Sequence, residues 1–375
     1  MKRWSSIEGL RAWLAVTVIL HHCVQVAALP ANFGWSSRLY QGGPIAVYVF
    51  IIISGFVITH LIRQGNDAYF PYLTRRFMRI YPLFCVTCVA GALTQPLLLQ
   101  GVSKLPWPSV TALAAQTTID SLDAHPFLHF IAHATMMHGV IPDSLLPASA
   151  VEYLGPAWSL SVEWQFYLIA PLALLLAQRK SGAIGLIIVS WIGCYCFMHG
   201  KFGSYLVLSF LPAVAPYFAL GAFSRIALPK IHATNPAIVA ALCLSLAPLG
   251  ESFGVPVLIW IAFFVYLCGP RPAAFDAVFA SRLATFWGER SYSIYLTHGV
   301  VLNLVVYLTC GFARSNVQYF IMITMLTVVG TAIVSMITYV VIERPGMALG
   351  SAMASRIARK SYSQSREPDR NIAHA

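Results

Sequence analysis

Charge is what this sequence has least of. Only 10% of its 375 residues are Asp, Glu, Lys or Arg, 13 residues are acidic, and 58% are hydrophobic. Soluble domains run close to half apolar and a quarter charged, so too few charges remain here to coat one large apolar core in water. Divided into segments of about 20 residues, the same apolar content fits a lipid bilayer. A disulfide framework is also missing. The eight cysteines (Cys23, Cys85, Cys88, Cys194, Cys196, Cys243, Cys268, Cys310) fall in or beside apolar runs, where cysteine behaves as a small hydrophobe. Cys85 and Cys88 form a CxxC with no second pair at zinc spacing, so no metal is expected. The net charge of +11 is not drawn out into a basic stripe with interleaved aromatics, which argues against a nucleic-acid partner. Met1 to Leu10 is too short and polar for a cleavable leader, and no soluble catalytic domain is expected.

Apolar runs are abundant. They lie at about Leu10 to Leu29, Ile45 to Ile62, Ile80 to Leu99, Trp158 to Ala177, Ala183 to Met198, Tyr205 to Ile226, Asn235 to Leu249, Val255 to Cys268, Ser291 to Cys310 and Val317 to Ile342. The expected fold is therefore an all-α integral membrane protein, a bundle of about ten transmembrane helices. Cytoplasmic loops carry an excess of Lys and Arg. With the N-terminus inside, only Arg38, Lys104, Lys201 and Arg314 of the 24 basic residues are left for the outer face, so both termini are expected in the cytoplasm. This topology leaves a long outer segment, Gly101 to Ala157, bearing Asp120, Asp123, Asp143 and Glu152 with His125, His129, His133 and His138. It includes an apolar stretch near Phe127 to Val140. Loops of this length commonly act as lids or binding surfaces; the plainer alternative is a solvated loop with incidental histidines. The end of the chain is polar and basic, and reads as disordered or lying on anionic headgroups.

Titratable groups inside spans are costly, and each is a functional candidate. Arg11 and His22 are eleven residues apart, three helical turns plus about 20°, so they share a face roughly 16 Å apart. A histidine at that depth can accept a proton from an alcohol, or simply bond a neighbouring helix. Arg75, Arg76 and Arg79 precede the third span. Guanidinium groups grip phosphates in a planar, bidentate manner, which suits a polyphosphate donor, although anchoring at the inner face explains them equally. Glu163 lies one turn inside the fourth span, with Ser159, Gln165 and Tyr167 around it. It is a candidate to orient His22, to bind an acceptor hydroxyl, or to make an interhelix hydrogen bond. Trp158, Ser161 and Tyr167 of the same block are candidates to hold the acceptor. Tyr295 and His298, three residues apart at the inner start of the ninth span, share a face as cofactor contacts or as helix glue. Ser54, Gly55 and Phe56 form a small-residue break in the second span.

GLRAWLAVTVILHH, FIIISGFVIT, TRRFMRIYP, WSLSVEWQFYL, SYSIYLTH and the closing IERP, in this order, resemble the membrane-bound acyltransferase family 3, from about Ile7 to Pro345. The resemblance implies a transmembrane acyltransferase domain over 1–345, followed by the basic tail, 346–375, and a place in the bacterial inner membrane. It implies acetyl-CoA or another short acyl-CoA as donor and a carbohydrate or glycolipid as acceptor at the outer side. On this pattern Arg11 and His22 match the family's paired Arg and His. Arg75 and Arg76 match the arginines associated with acyl-CoA, and Glu163 the acid of the WSLSVE block. Trp164 stands where many members carry a second acid. The expected mechanism has His22, supported by Glu163, deprotonate a hydroxyl that attacks the thioester. A covalent acyl-histidine is the minor variant. A lipid-linked sugar transporter or flippase is the alternative from another class, although no convincing internal repeat is present. A scaffold or sensor with a degenerate site is a third reading.

Overall fold

The computed structural model describes residues 2–31, 34–65, 67–231, 251–269 and 272–364. Among them there is no strand. The helices are α1 (Lys2–Val26), α2 (Gly34–Gln64), α3 (Tyr69–Val102), α4 (Val110–Ala124), α5 (Pro126–Ala134), α6 (Trp158–Leu176), α7 (Lys180–Met198) and α8 (Leu211–Ile231). They continue as α9 (Glu251–Cys268), α10 (Ala273–Phe279), α11 (Arg282–Glu289), α12 (Ser291–Thr309), α13 (Asn316–Thr338) and α14 (Arg344–Gln364). All-helical structure follows from the apolar composition, because a span in lipid must satisfy every backbone polar group within itself.

Among the described residues, eight helices are long and apolar enough to cross a membrane. A ninth span results if α9 is joined to the α10–α11 pair, which is bent away from it by 117°. The expected span Asn235 to Leu249 lies outside the described residues. The expected span from Tyr205 begins later: residues 205–210 are not helical, and α8 starts at Leu211, whose N–H is taken by the Gln165 side chain at 2.8 Å.

The helices that build the interior are α1, α2, α3, α6, α8 and α12, with Phe56, Phe84, Tyr217, Leu296 and Trp260 of α9 among the most enclosed side chains. Bare backbone lets α2 and α8 cross closely. A Cβ added at Gly221 would stand 2.0 Å from the Ile52 carbonyl oxygen, and one at Gly55 would stand 2.3 Å from that of Phe218. Small residues of this kind drive helix association where water supplies no hydrophobic force between spans. Gly221→Leu is therefore expected to lose most of the monodisperse protein recovered after detergent extraction. Gly185→Ala, where an added Cβ meets nothing within 4 Å, is expected to leave the yield unchanged.

Two expectations change in kind. Where the sequence reads as a tail from 346 that is disordered or lies on anionic headgroups, the structure has a helix, α14, that follows a π-helical turn (Tyr339–Glu343) and packs along α3. Gly346 lies over Met78 there, and Gly350 over Met78 and Thr74. Sequence polarity alone suggested disorder; what holds the segment is the glycine-lined contact with α3. Residues 365–375 lie outside the described residues.

The second change concerns the long segment between α3 and α6, read either as a lid or binding surface or as a solvated loop: it is a packed cap, which sets aside the second alternative. His129, His133 and His138 are buried, with the last two rings stacked at 4.3 Å. Ser121 donates to the Pro147 carbonyl at 2.6 Å and so accepts from His129 Nε2 at 2.9 Å. Burial, with Asp123 nearby, pushes the Glu152 carboxyl up to about 8. Burial, with His125 nearby, pushes His129 down to about 4, and burial does the same to His138. The 3.8 Å approach of His129 to Glu152 is then a contact of neutral groups at neutral pH.

These shifts set the sign of a pH effect. The unfolded chain takes up histidine protons below about 6.5 that the folded cap rejects, so acidification destabilises it. Above about 4.5 the unfolded carboxyl loses a proton that folded Glu152 keeps until about 8, so raising the pH through this range also destabilises it. Three histidines, since burial beside His138 also holds His133 well below its usual value, outweigh one carboxyl below about 6.5, which puts the optimum near that pH. Melting curves in detergent are expected to show Tm falling on both sides, and Glu152→Gln to remove the alkaline decline.

Candidate active site

Helix α1 sets the axis of the site. Arg11 and His22 do share a face, and each lines a different cavity. The lower cavity, about 320 Å³, is at the level of Arg11 and is lined by Glu8, Ser54, Arg76, Arg79, Glu163, Tyr167 and Tyr292 among others. Arg11 Nη1 is 3.2 Å from Glu8 Oε2, one turn earlier. Glu163 Oε1 accepts from Ser54 Oγ at 2.9 Å and makes a short hydrogen bond with the Tyr167 hydroxyl. Arg79 Nη1 reaches the Met347 sulfur at 3.0 Å. The lower cavity thus carries three guanidinium groups over two carboxylates. Such a set suits a multiply charged phosphate ligand.

The upper cavity, about 590 Å³, is lined by His21, His22, Gln25, Gln95, Trp158 and Asn303, with Val110, Thr111 and Thr118 of α4 forming a roof. His22 Nδ1 is 3.1 Å from Gln25 Oε1. An amide oxygen can only accept, so Nδ1 carries the hydrogen and Nε2 is left as the basic nitrogen. His21 turns aside, its Nδ1 against the Leu39 carbonyl at 3.4 Å.

Tyr295 and Val47 line both cavities and form the partition between them. The Tyr295 hydroxyl donates to the Pro156 carbonyl at 2.8 Å and so accepts from Ser159 Oγ at 2.9 Å. It is pinned across the gap between α12 and α6.

Several expected site residues stand elsewhere than the sequence suggested. Arg75 points out of the bundle, its Nε 2.9 Å from the Asp67 carboxylate at the exposed α2–α3 turn, while Arg76 and Arg79 line the cavity. Glu163 does not meet His22: its partners are Ser54 and Tyr167. The reason is the face of α6: Trp158 lines the upper cavity, while Ser159, Glu163 and Tyr167, spaced one turn apart on another side of the helix, line the lower one. Tyr167, a candidate for the acceptor, follows it there. Ser161 lines neither cavity; its hydroxyl accepts from the Gly139 N–H at 3.0 Å and from Gln165 at 3.2 Å, tying the cap to α6. His298 lines neither cavity, and its ring centroid is 5.3 Å from that of His22. Sequence reasoning missed Glu8, Gln25 and Tyr292. Gln25 had a signal, since it lies one turn from His22 on the same face.

A bundle of membrane-crossing helices that carries arginines below a partition and an imidazole above it fits a multi-pass membrane acyltransferase. The family model described as an acyltransferase domain matches residues 4–340, and the chain belongs to that family, acyltransferase family 3. It is 26% identical over 341 residues to Acyltransferase MdmB of Streptomyces mycarofaciens, covering 80% of this chain and 79% of that protein. It is 24% identical over 376 residues to O-acetyltransferase OatA of Staphylococcus aureus (strain NCTC 8325 / PS 47), covering 90% of this chain and 56% of that protein. The chain thus spans little more than half the length of this staphylococcal relative. No solved structure matches.

Proposed function

We propose that the protein is a transmembrane O-acyltransferase of the bacterial inner membrane. It moves an acetyl or other short acyl group from cytosolic acyl-CoA to a hydroxyl of a carbohydrate or glycolipid at the outer side. The observation that carries this reading is the pair of cavities sharing Tyr295 and Val47, one basic and one with an imidazole. The names of the relatives, an acyltransferase and an O-acetyltransferase, support the same chemistry. Both termini are cytoplasmic in this reading, which puts the lower cavity on the donor side.

The donor's phosphates rest on Arg76 and Arg79, with Arg11 deeper along the path. Its thioester passes Tyr295 towards His22. Nε2 of His22 takes the proton from the acceptor hydroxyl, and the oxygen forms its bond to the thioester carbonyl carbon. The carbon–sulfur bond then breaks, and the coenzyme A thiolate recovers the proton from His22. Gln25 fixes the tautomer throughout. Glu163, bonded to Ser54 and Tyr167, acts at the donor end and keeps the arginine cluster compact. Trp158 in the upper cavity gives a flat face for a sugar ring.

Mass spectrometry of surface glycans from cells with and without the gene tests the reading. The expected result is a short acyl ester present only when the gene is. Unchanged glycan acylation, together with movement of a lipid-linked sugar in the absence of thioester consumption, would replace it with transport.

A further inference from the structure

His298 is the buried titratable group that this mechanism leaves unused. It lies in α12, is fully enclosed, and has its ring 5.3 Å from that of His22 at 30°. Neither of its ring nitrogens makes a hydrogen bond of accepted geometry among the described residues; its own helix offers it the carbonyls of Ile294 and Tyr295. Buried polar groups are nearly always satisfied, so such a ring asks for an explanation. His22, for its part, must carry a proton during transfer, inside an apolar bundle. A buried charge is costly unless something shares it. Catalytic imidazoles commonly lean on a carboxylate for this, but among the described residues no carboxylate pairs with His22. Its bonded partner is the neutral amide of Gln25.

We infer that His298 is a positioning residue for His22: the two imidazoles act as a pair that holds one proton, the neutral ring of His298 stabilising the imidazolium that forms on His22 when the acceptor hydroxyl is deprotonated. Two adjacent rings cannot readily both be charged, so they titrate as a unit. The rings are tilted by 30° with centroids 5.3 Å apart, close enough for the π electrons of one to stabilise a charge on the other. Among the described residues the remaining titratable neighbours of the pair are His21 on α1, packed edge-on to His22, Tyr40 on α2 beside His21, and Tyr295 on α12 beside His298. None of them brings a negative charge near neutral pH. His298 lines neither cavity, so it acts through His22 and not on the donor or acceptor.

This inference rests on the proposed acyl transfer only for its purpose; the pairing itself is measurable without it. Diethyl pyrocarbonate attacks uncharged imidazole, and mass spectrometry can follow carbethoxylation at His22 as a function of pH in the full-length protein in detergent. In His298→Leu and His298→Gln, which remove the ring, the acid-side midpoint for His22 is expected to fall by about one pH unit, because the proton is no longer shared. Coenzyme A release from acetyl-CoA, with a glycolipid extract of the source membranes as acceptor, is expected to drop by about tenfold or more in kcat, within the range of acid–base effects, with the KM for acetyl-CoA unchanged. Should one variant fail to accumulate, the other carries the test. An unmoved midpoint overturns the pairing, as does a raised KM with kcat intact, which would make His298 a donor contact. A moved midpoint in a protein that releases no coenzyme A keeps the pairing and refutes the acyl-transfer reading instead.

Discussion

His22→Ala is expected to reduce acyl transfer by at least about 100-fold, the scale of a lost general base, while the protein accumulates and extracts as the wild type does. The site makes this outcome specific. His22 faces a cavity, and its hydrogen bond is to Gln25 one turn away, so truncation enlarges an existing space and breaks no hydrogen bond to another helix. His22→Gln keeps more of the side-chain volume and should be equally inactive, because an amide does not take up a proton. Gln25→Leu should be milder, since it loses the tautomer bias but not the imidazole. Acyl-CoA consumption and protein abundance measured on the same membranes check all three variants. An active His22→Ala protein would remove the base from the mechanism.

The second large effect belongs to the donor end. Arg76→Gln and Arg79→Gln are each expected to raise the KM for acetyl-CoA by roughly 10- to 100-fold, which corresponds to losing a hydrogen bond to a charged group worth about 1.5–3 kcal/mol. Their kcat should change less, since the phosphates are held alike in the ground and transition states. Arg75→Gln is the control. Its guanidinium pairs with Asp67 at the exposed turn, and an exposed pair is worth about 0–1 kcal/mol, so its kinetics should match the wild type. Initial rates over a range of acetyl-CoA concentrations separate these outcomes. Equal effects at all three positions would mean that charge at the bundle's entrance matters and the cavity does not.

What was legible in the sequence was whatever a single helix determines. The all-helical membrane fold follows from composition and from runs of apolar residues. The shared face of Arg11 and His22 follows from an eleven-residue spacing, and they line cavities one above the other. Relations between helices were not legible. Glu163 and His22 both face the interior, but the register of α6 against α1 is set by packing, and it assigns the carboxylate to the lower cavity. Arg75 and Arg76 are adjacent in sequence and so point about 100° apart on one helix, which leaves the first to Asp67 at the exposed turn. Ser161 looked like part of an acceptor platform, yet it is spent on the Gly139 backbone. The histidines of the cap could be read as part of a lid or binding surface or as incidental, because nothing local reveals that residues 110–154 fold over the upper cavity. Tyr295 was expected at a cofactor; its shared place in the walls of both cavities depends on α12 and α6 meeting at Pro156 and Ser159.

A single-particle density map of the protein bound to a non-hydrolysable acetyl-CoA analogue tests the central claim most directly. The account predicts the nucleotide phosphates on Arg76 and Arg79 and the acyl carbonyl carbon beyond Tyr295, close enough to His22 that a hydroxyl seated on Nε2 would lie about 3–3.5 Å from it. An analogue whose acyl end stops below Tyr295, with the partition closed and His22 remote, would contradict it.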